Sequence, residues 1–411
     1  MIRRNIQASI ERALADTPVV MINGARQTGK TTLAKEIAVK MKAQYFTLDD
    51  ATTLGLAVSD PAGFIGKQSG PVVIDEIQKA PTLFPAIKLA VDNQRQSGRF
   101  LLTGSANVMT LPRLSESLAG RMEILSVFPF SAGELADAQE TFVKHIFNGH
   151  IPQTHPNIPE LNLVNRLICG GYPEANQRTS EERRGAWFAA YISTILQRDI
   201  QDLARVDGLH SLPNLLKLLA ARTAGLLNLS DIGRDASLPH TTLTRYMALL
   251  ETVFLVNRLP AWSANFGQRL VKAPKLHLVD TGLACHLVGT NVTRLSEDRS
   301  LQGKMLETYV VSELSKQLSW NDPFTKLYHF RTAAGTEVDI VLEKADGAIA
   351  GIEVKASATV GASDFQGLKA LRDQLGERFS SGVVLYTGDQ LIPFGDKLWL
   401  VPLPALWAQD I

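Results

Sequence analysis

Gly24 to Thr31 reads GARQTGKT, and no other stretch narrows so far what this chain can fold into. It follows the apolar run VVMI and precedes a segment with helical periodicity, the strand-loop-helix context in which GxxxxGK[ST] cradles phosphate. Glycines at Gly24 and Gly29 let the backbone turn successive N–H groups toward an anion, with the positive end of the next helix behind them. The residues expected to hold nucleotide are therefore Gly24, Ala25, Arg26, Gln27, Thr28, Gly29, Lys30, Thr31 and Thr32. Lys30 would neutralise the β- and γ-phosphates and Thr31 would ligate magnesium, so the expected cofactors are ATP and Mg²⁺.

From Pro18 to about Val127, short β-rich runs (PVVMIN, AQYFTL, PVVID, RFLLTGS, EILSV) alternate with helical stretches, which predicts a parallel sheet covered by helices. The run PVVIDEI ends in Asp75 and Glu76. Adjacent carboxylates at the end of a buried strand are costly unless they meet a cation or a reactive water. Asp75 is thus expected on the magnesium, and Glu76 as the group that polarises the attacking water. The strand RFLLTGSAN ends in small polar residues at the same edge, where either Ser105 or Asn107 could reach the γ-phosphate or the water. Arg121, in ESLAGRMEIL, either reaches a neighbouring subunit's nucleotide or forms an ordinary surface ion pair.

The series GARQTGKTTL, PVVIDEIQ, LLTGSAN, ESLAGR and PFSAGEL resembles the AAA-type ATPases of bacteria and archaea that carry a C-terminal domain of unknown function. GGYPEA, YISTILQRDI and KLHLVDTGLA extend the resemblance over nearly the whole chain. It implies an α/β AAA-type fold in a homo-oligomer, a hexamer being one such ring, with nucleotide at subunit boundaries and Arg121 as an arginine finger.

The expected domains are 1–150 (P-loop ATPase), 160–290 (helical and winged-helix) and 295–411 (a C-terminal α/β domain), with a soft break in the loop HIPQTHPNIPE. In the middle domain, RRGAWFAAYISTILQRDI predicts a helix with Trp187, Phe188 and Tyr191 turned inward. Between Leu215 and Leu255 the pattern is that of a helix-turn-helix, and the strands after it would form a wing. Such units bind DNA or pack protein on protein; the third helix, with Thr241, Thr242 and Arg245, offers one cation for phosphate, and Arg269, Lys272 and Lys275 add a basic stretch near the wing.

In the last domain Glu307 lies on a predicted helix, Asp339 on the strand TEVDIVLE, and Glu353 and Lys355 on the next strand, IEVK. Residues two apart on a strand share a face, so Glu353 and Lys355 point the same way. The set resembles the PD-(D/E)XK nucleases, although Val338 stands where that pattern has Pro. The resemblance implies Mg²⁺ shared by Asp339 and Glu353, water oriented by Lys355, and Glu307 on a second metal or aligning the first. It also sets a geometric condition. A two-residue turn at Asp346-Gly347 puts Asp339 opposite Val354 on the wrong face, whereas an odd loop or a bulge puts it opposite Glu353 or Lys355. The bland alternative is a half-buried strand with ordinary surface charges.

A net charge of +1 gives no global attraction to a polyanion, so any surface for DNA or RNA must be a local patch. Two distant cysteines, Cys169 and Cys285, imply neither a disulfide framework nor a zinc site and suit the cytoplasm. No apolar run approaches a membrane span, and the first residues read as an amphipathic helix, so a soluble chain is expected. Two functions remain open: an ATPase that drives a module handling, or even cutting, nucleic acid, or a nucleotide switch whose C-terminal domains bind protein partners.

Overall fold

The computed structural model describes residues 2–105, 118–149, 163–203 and 209–408. Two compact units emerge: Arg4–Phe130 with Leu249–Leu255, and Met1–Arg3 with Ser131–Ala248 and Val256–Ile411. The division falls near residue 130 rather than 150.

The first unit is a five-stranded parallel sheet of β1 (Val19–Asn23), β2 (Gln44–Thr47), β3 (Val72–Asp75), β4 (Phe100–Gly104) and β5 (Met122–Ser126), in the order β2-β3-β4-β1-β5. The three central strands, β3, β4 and β1, are buried at every position. That is why they read as unbroken apolar runs rather than alternating ones. Val19, Met21, Ile74, Phe100 and Leu102 pack on Phe84, Ile87 and Val91 of the helix Leu83–Asn93. All five strands run the same way, so Asn23, Asp75 and Gly104 end on one edge of the sheet, where ligands of open parallel sheets bind.

In the second unit the helices Leu212–Ala221 and Leu229–Asp235, and the helix His240–Thr252 as far as Ala248, accompany a small antiparallel sheet, β6 (Gly225–Leu226), β7 (Val256–Leu259) and β8 (Lys275–Leu278), in the order β6-β8-β7. Trp187, Phe188 and Tyr191 are buried on the helix Glu181–Thr194, and Tyr191 shares a hydroxyl hydrogen bond of 2.9 Å with Tyr172. The remaining strands are β9 (Lys326–Arg331), β10 (Glu337–Glu343), β11 (Ile349–Lys355), β12 (Phe379–Tyr386), β13 (Ile392–Pro393) and β14 (Leu398–Pro402). They form a mixed sheet ordered β13-β14-β12-β11-β10-β9. The helix Gln366–Leu375 lies close against β10 at Gly367, where a Cβ would stand 1.8 Å from the Glu337 carbonyl oxygen.

This unit runs through residues 290–295 without a break, because the long helix Arg299–Asn321 ties the β6–β8 region to the six-stranded sheet. Its Thr308 hydroxyl meets that of Thr223 at 2.8 Å, and Ser312 donates to the Val279 carbonyl at 3.0 Å. Among the described residues no helix is long and apolar enough to cross a membrane.

Candidate functional site

The loop after β1 takes the form its sequence predicts. Gly24 has φ 141°, Gln27 φ 60° and Gly29 φ 92°, so the backbone winds through left-handed positions before the helix Lys30–Met41 begins. No side chain caps that helix, which leaves its first amides facing the loop. A Cβ on Gly24 would lie 2.1 Å from the Val127 carbonyl oxygen, so only glycine fits there. Lys30 is buried and its Nζ donates to the carbonyls of Gly24 (2.9 Å) and Ala25 (2.7 Å) inside the loop. Thr28 donates to the Ala25 carbonyl at 3.0 Å, while Arg26 and Gln27 lie on the outer turn and Thr32 is exposed. Arg4 supports the loop, donating to the carbonyls of Thr28 (2.6 Å) and Phe128 (2.7 Å).

Asp75, at the end of β3, is 1% exposed. Its carboxylate accepts from Thr31 (3.1 Å to each oxygen), Tyr45 (3.0 Å) and Thr103 (2.6 Å). Burial and the Asp75 charge push the Tyr45 hydroxyl pKa up, so it stays a donor. A carboxylate beside a hydroxyl at the foot of a phosphate loop supplies hard oxygen donors of the kind magnesium takes with nucleotide phosphates, and the residues fit that ion. Glu76 stands in a left-handed conformation (φ 60°), its amide donating to the Thr103 hydroxyl at 3.0 Å. Oxygen Oε2 of Glu76 accepts from the Gln78 amide and from the Ser105 hydroxyl (2.9 Å), and Gln78 also donates to Ser105 at 2.9 Å. Of the two residues expected near the water, Ser105 is thus joined to Glu76, and Asn107 lies outside the described residues. Arg121 pairs with Asp92 of its own unit, the surface arrangement that sequence left open.

The second unit gathers three of the four C-terminal residues. The β10–β11 hairpin closes through Ala345, Asp346 and Gly347: Lys344 N donates to the Ala348 carbonyl at 2.9 Å, and Gly347 takes φ 87°. That odd loop pairs Ile340 with Ile352 and sets Asp339 across from Glu353. Against β9 the register shifts between Val338 and Val341, a bulge at Asp339 and Ile340 that releases the Asp339 amide from the ladder. This amide donates to Glu353 Oε2, and the Val354 amide donates to Asp339 Oδ2, both at 3.1 Å. Glu307, from the long helix, completes the group, whereas Lys355 extends toward Asp364, 3.5 Å away.

Sequence reading missed the centre of this cluster. Lys275 of β8 is 4% exposed, and its Nζ lies 2.7 Å from Glu307 Oε1 and 3.0 Å from Asp339 Oδ1. Burial alone would discharge it, but the Asp339 and Glu307 carboxylates outweigh that and raise its pKa. Burial likewise raises Asp339, yet Lys275 and its hydrogen bonds bring it below the usual carboxylate range. Burial and the Asp339 charge push Glu307 up to about 8 and hold Glu353 well above its ordinary value. The Lys275 ammonium thus lies between Glu307 and Asp339.

A divalent ion shared by Asp339 and Glu353 needs ionised oxygens converging on an open point. Here Asp339 turns an oxygen to Lys275 while Glu353 accepts from the Asp339 amide, and among the described residues no three His, Cys, Asp or Glu side chains form a metal-holding group. The residues do not fit the expected ion. Arg269, a second cation offered for DNA, is paired with Glu343 and lies over the rings of Trp262 and Tyr328.

Three stretches of the chain match known families. Residues 16–136 match a family described as an AAA domain, 160–294 a domain of unknown function (DUF8612) and 302–406 another (DUF4143). The chain is 29% identical over 405 residues to an uncharacterized protein of Mycobacterium tuberculosis, covering 97% of this chain and 83% of that one, and equally to one of Mycobacterium bovis. Among solved structures it is similar to the Walker-type ATPase PABY2304 of Pyrococcus abyssi (13% identity, TM-score 0.43, 70% of this chain and 96% of that one). The RuvB Holliday junction branch migration motor of Thermotoga maritima gives 18% identity, TM-score 0.27, and covers 62% and 89%. The first unit thus carries the AAA-domain match, on a parallel five-stranded sheet resembling that of P-loop ATPases.

Proposed function

We propose that this chain binds ATP with magnesium at the loop Gly24–Thr31 and hydrolyses it. The observation that carries the reading is the contact of Thr31 with both oxygens of buried Asp75 while Lys30 lies within the loop. Bound magnesium ATP supplies the γ-phosphoryl group and offsets its charge. Lys30 leaves the loop carbonyls for the phosphates, the loop amides hold the anion, and Thr31 and Asp75 are the residues that would hold the magnesium ion. Glu76 polarises water through Oε1 while Gln78 and Ser105 hold Oε2. The chain works as a homo-oligomer, and Arg121 reaches a neighbouring copy's nucleotide once it leaves Asp92. The test is ATP binding and turnover by the full chain and by Lys30→Ala, which on this reading binds ATP more weakly and loses turnover.

The role of the second unit rests on Lys275. The odd hairpin register supports a nuclease-like layout, and the helix order leading into β7 and β8 supports a winged-helix form. Glu307 and Asp339 are nevertheless paired with Lys275, and Arg269 with Glu343. The second unit is therefore a partner-binding body that responds to the nucleotide, not a cutting centre. Cleavage of DNA or RNA by the purified chain with Mg²⁺ or Mn²⁺, lost in Asp339→Ala, would reverse that assignment.

A further inference from the structure

The acid cluster of the second unit is built around a point that is already filled. Glu307 comes from the long helix, Asp339 from a bulged position of β10 and Glu353 from β11. From the opposite side, Lys275 and His277 project together from β8, two residues apart on one face. The His277 Nδ1 meets the Thr308 hydroxyl at 3.2 Å. Its Nε2 has no hydrogen-bond partner although the residue is 1% exposed, and it lies 3.9 Å from Glu307 Oε1. An orphaned buried imidazole nitrogen beside a carboxylate is a ligand-type donor with nothing to bind.

We propose that the Lys275 ammonium is the resident cation of this cluster: it stands where a divalent ion would sit between Glu307 and Asp339. In the intact chain the cluster therefore takes no divalent ion, and removing the ammonium turns Glu307, Asp339 and His277 into a site for one. Two carboxylates and a neutral imidazole suit Mn²⁺ or Zn²⁺. With the ammonium present, an added dication would meet a like charge at hydrogen-bonding range from the same oxygens. The inference does not depend on ATP hydrolysis, so the two can fail separately.

The experiment is Mn²⁺ titration of the nucleotide-free full chain, read by electron paramagnetic resonance. Wild type and Asp339→Asn should bind the same number of ions; an ion bound by wild type and lost in Asp339→Asn overturns the proposal. Lys275→Met and Lys275→Ala should each gain one Mn²⁺, at least about ten-fold tighter than any wild-type binding at the cluster. That ion should vanish when His277→Gln or Asp339→Asn is added, and Mn²⁺ should raise the Tm of the Lys275 variants and not of wild type. A folded Lys275 variant that gains no ion overturns the conversion. If neither variant folds, the comparison of wild type with Asp339→Asn decides.

Discussion

Asp339 and Glu353 face each other across a hairpin and exchange backbone contacts through their carboxylates: the Asp339 amide donates to Glu353, and the amide beside Glu353 donates to Asp339. Each acid is thereby oriented by the other's strand. The pair is held as one buried unit, and the Lys275 ammonium lies 3.0 Å from Asp339.

Lys30 and Asp75 hold the phosphate end of the first unit. Hydrogen bonds to charged groups are worth ~1.5–3 kcal/mol, so Lys30→Ala should weaken ATP binding about 10- to 100-fold. Asp75→Asn should make binding indifferent to Mg²⁺. Titration of a fluorescent ATP analogue with and without Mg²⁺ measures both, and unchanged affinity in Lys30→Ala would remove the basis of the ATPase reading.

Gln78 and Ser105 converge on one oxygen of Glu76. Removing both donors frees that carboxylate to rotate, and misplacing a general base costs turnover more than binding. The double variant Gln78→Ala with Ser105→Ala should lose about ten-fold in kcat with KM nearly unchanged, while Glu76→Gln should lose about 10² or more. Steady-state ATPase rates at varied ATP separate the two parameters.

Glu140 is fully buried, accepts from the Gly133 amide at 2.9 Å, and has a pKa pushed up to about 7 by burial and then by the nearby Glu313 charge. Its folded pKa is above the unfolded value of 4.5, so its stabilising contribution is complete below pH 4.5 and is lost as pH rises through about 7. The difference is roughly 3 kcal/mol. Denaturant midpoints of wild type should fall over that window more steeply than those of Glu140→Gln; parallel curves would contradict the assignment.

Gly24 meets Val127 too closely for any side chain. Gly24→Ala should retain a wild-type circular dichroism spectrum in its helices and yet bind ATP at least about ten-fold more weakly, because the loop must move away from the Val127 carbonyl. Retained affinity would mean that the loop tolerates the shift.

The features read correctly from sequence were local. The loop Gly24–Thr31, the five β-runs and the aromatic helix each carry their signal within a few consecutive residues, so periodicity and motif sufficed. The hairpin reduced to a parity, and the loop Ala345–Gly347 fixed it. What escaped were contacts between residues far apart in the chain. Lys275 stands in a stretch that reads as a basic wing, with no local sign that β8 buries it against Glu307 and Asp339. Gln78 resembles any polar residue after a strand, and Arg4 any charge near an amphipathic helix. Arg269 reads as a cation for DNA because its partner, Glu343, is 74 residues away.

Lys275 lies within the stretch matched by one family and its acid partners within the stretch matched by the next. The ion group is thus a seam held by complementary halves. A fragment stopped near residue 295 keeps a cation without its counter-charge, and a fragment begun there keeps acids without theirs. Each half would carry the other's missing charge as an exposed defect, so the two stretches are expected to be inherited, expressed and purified as one piece.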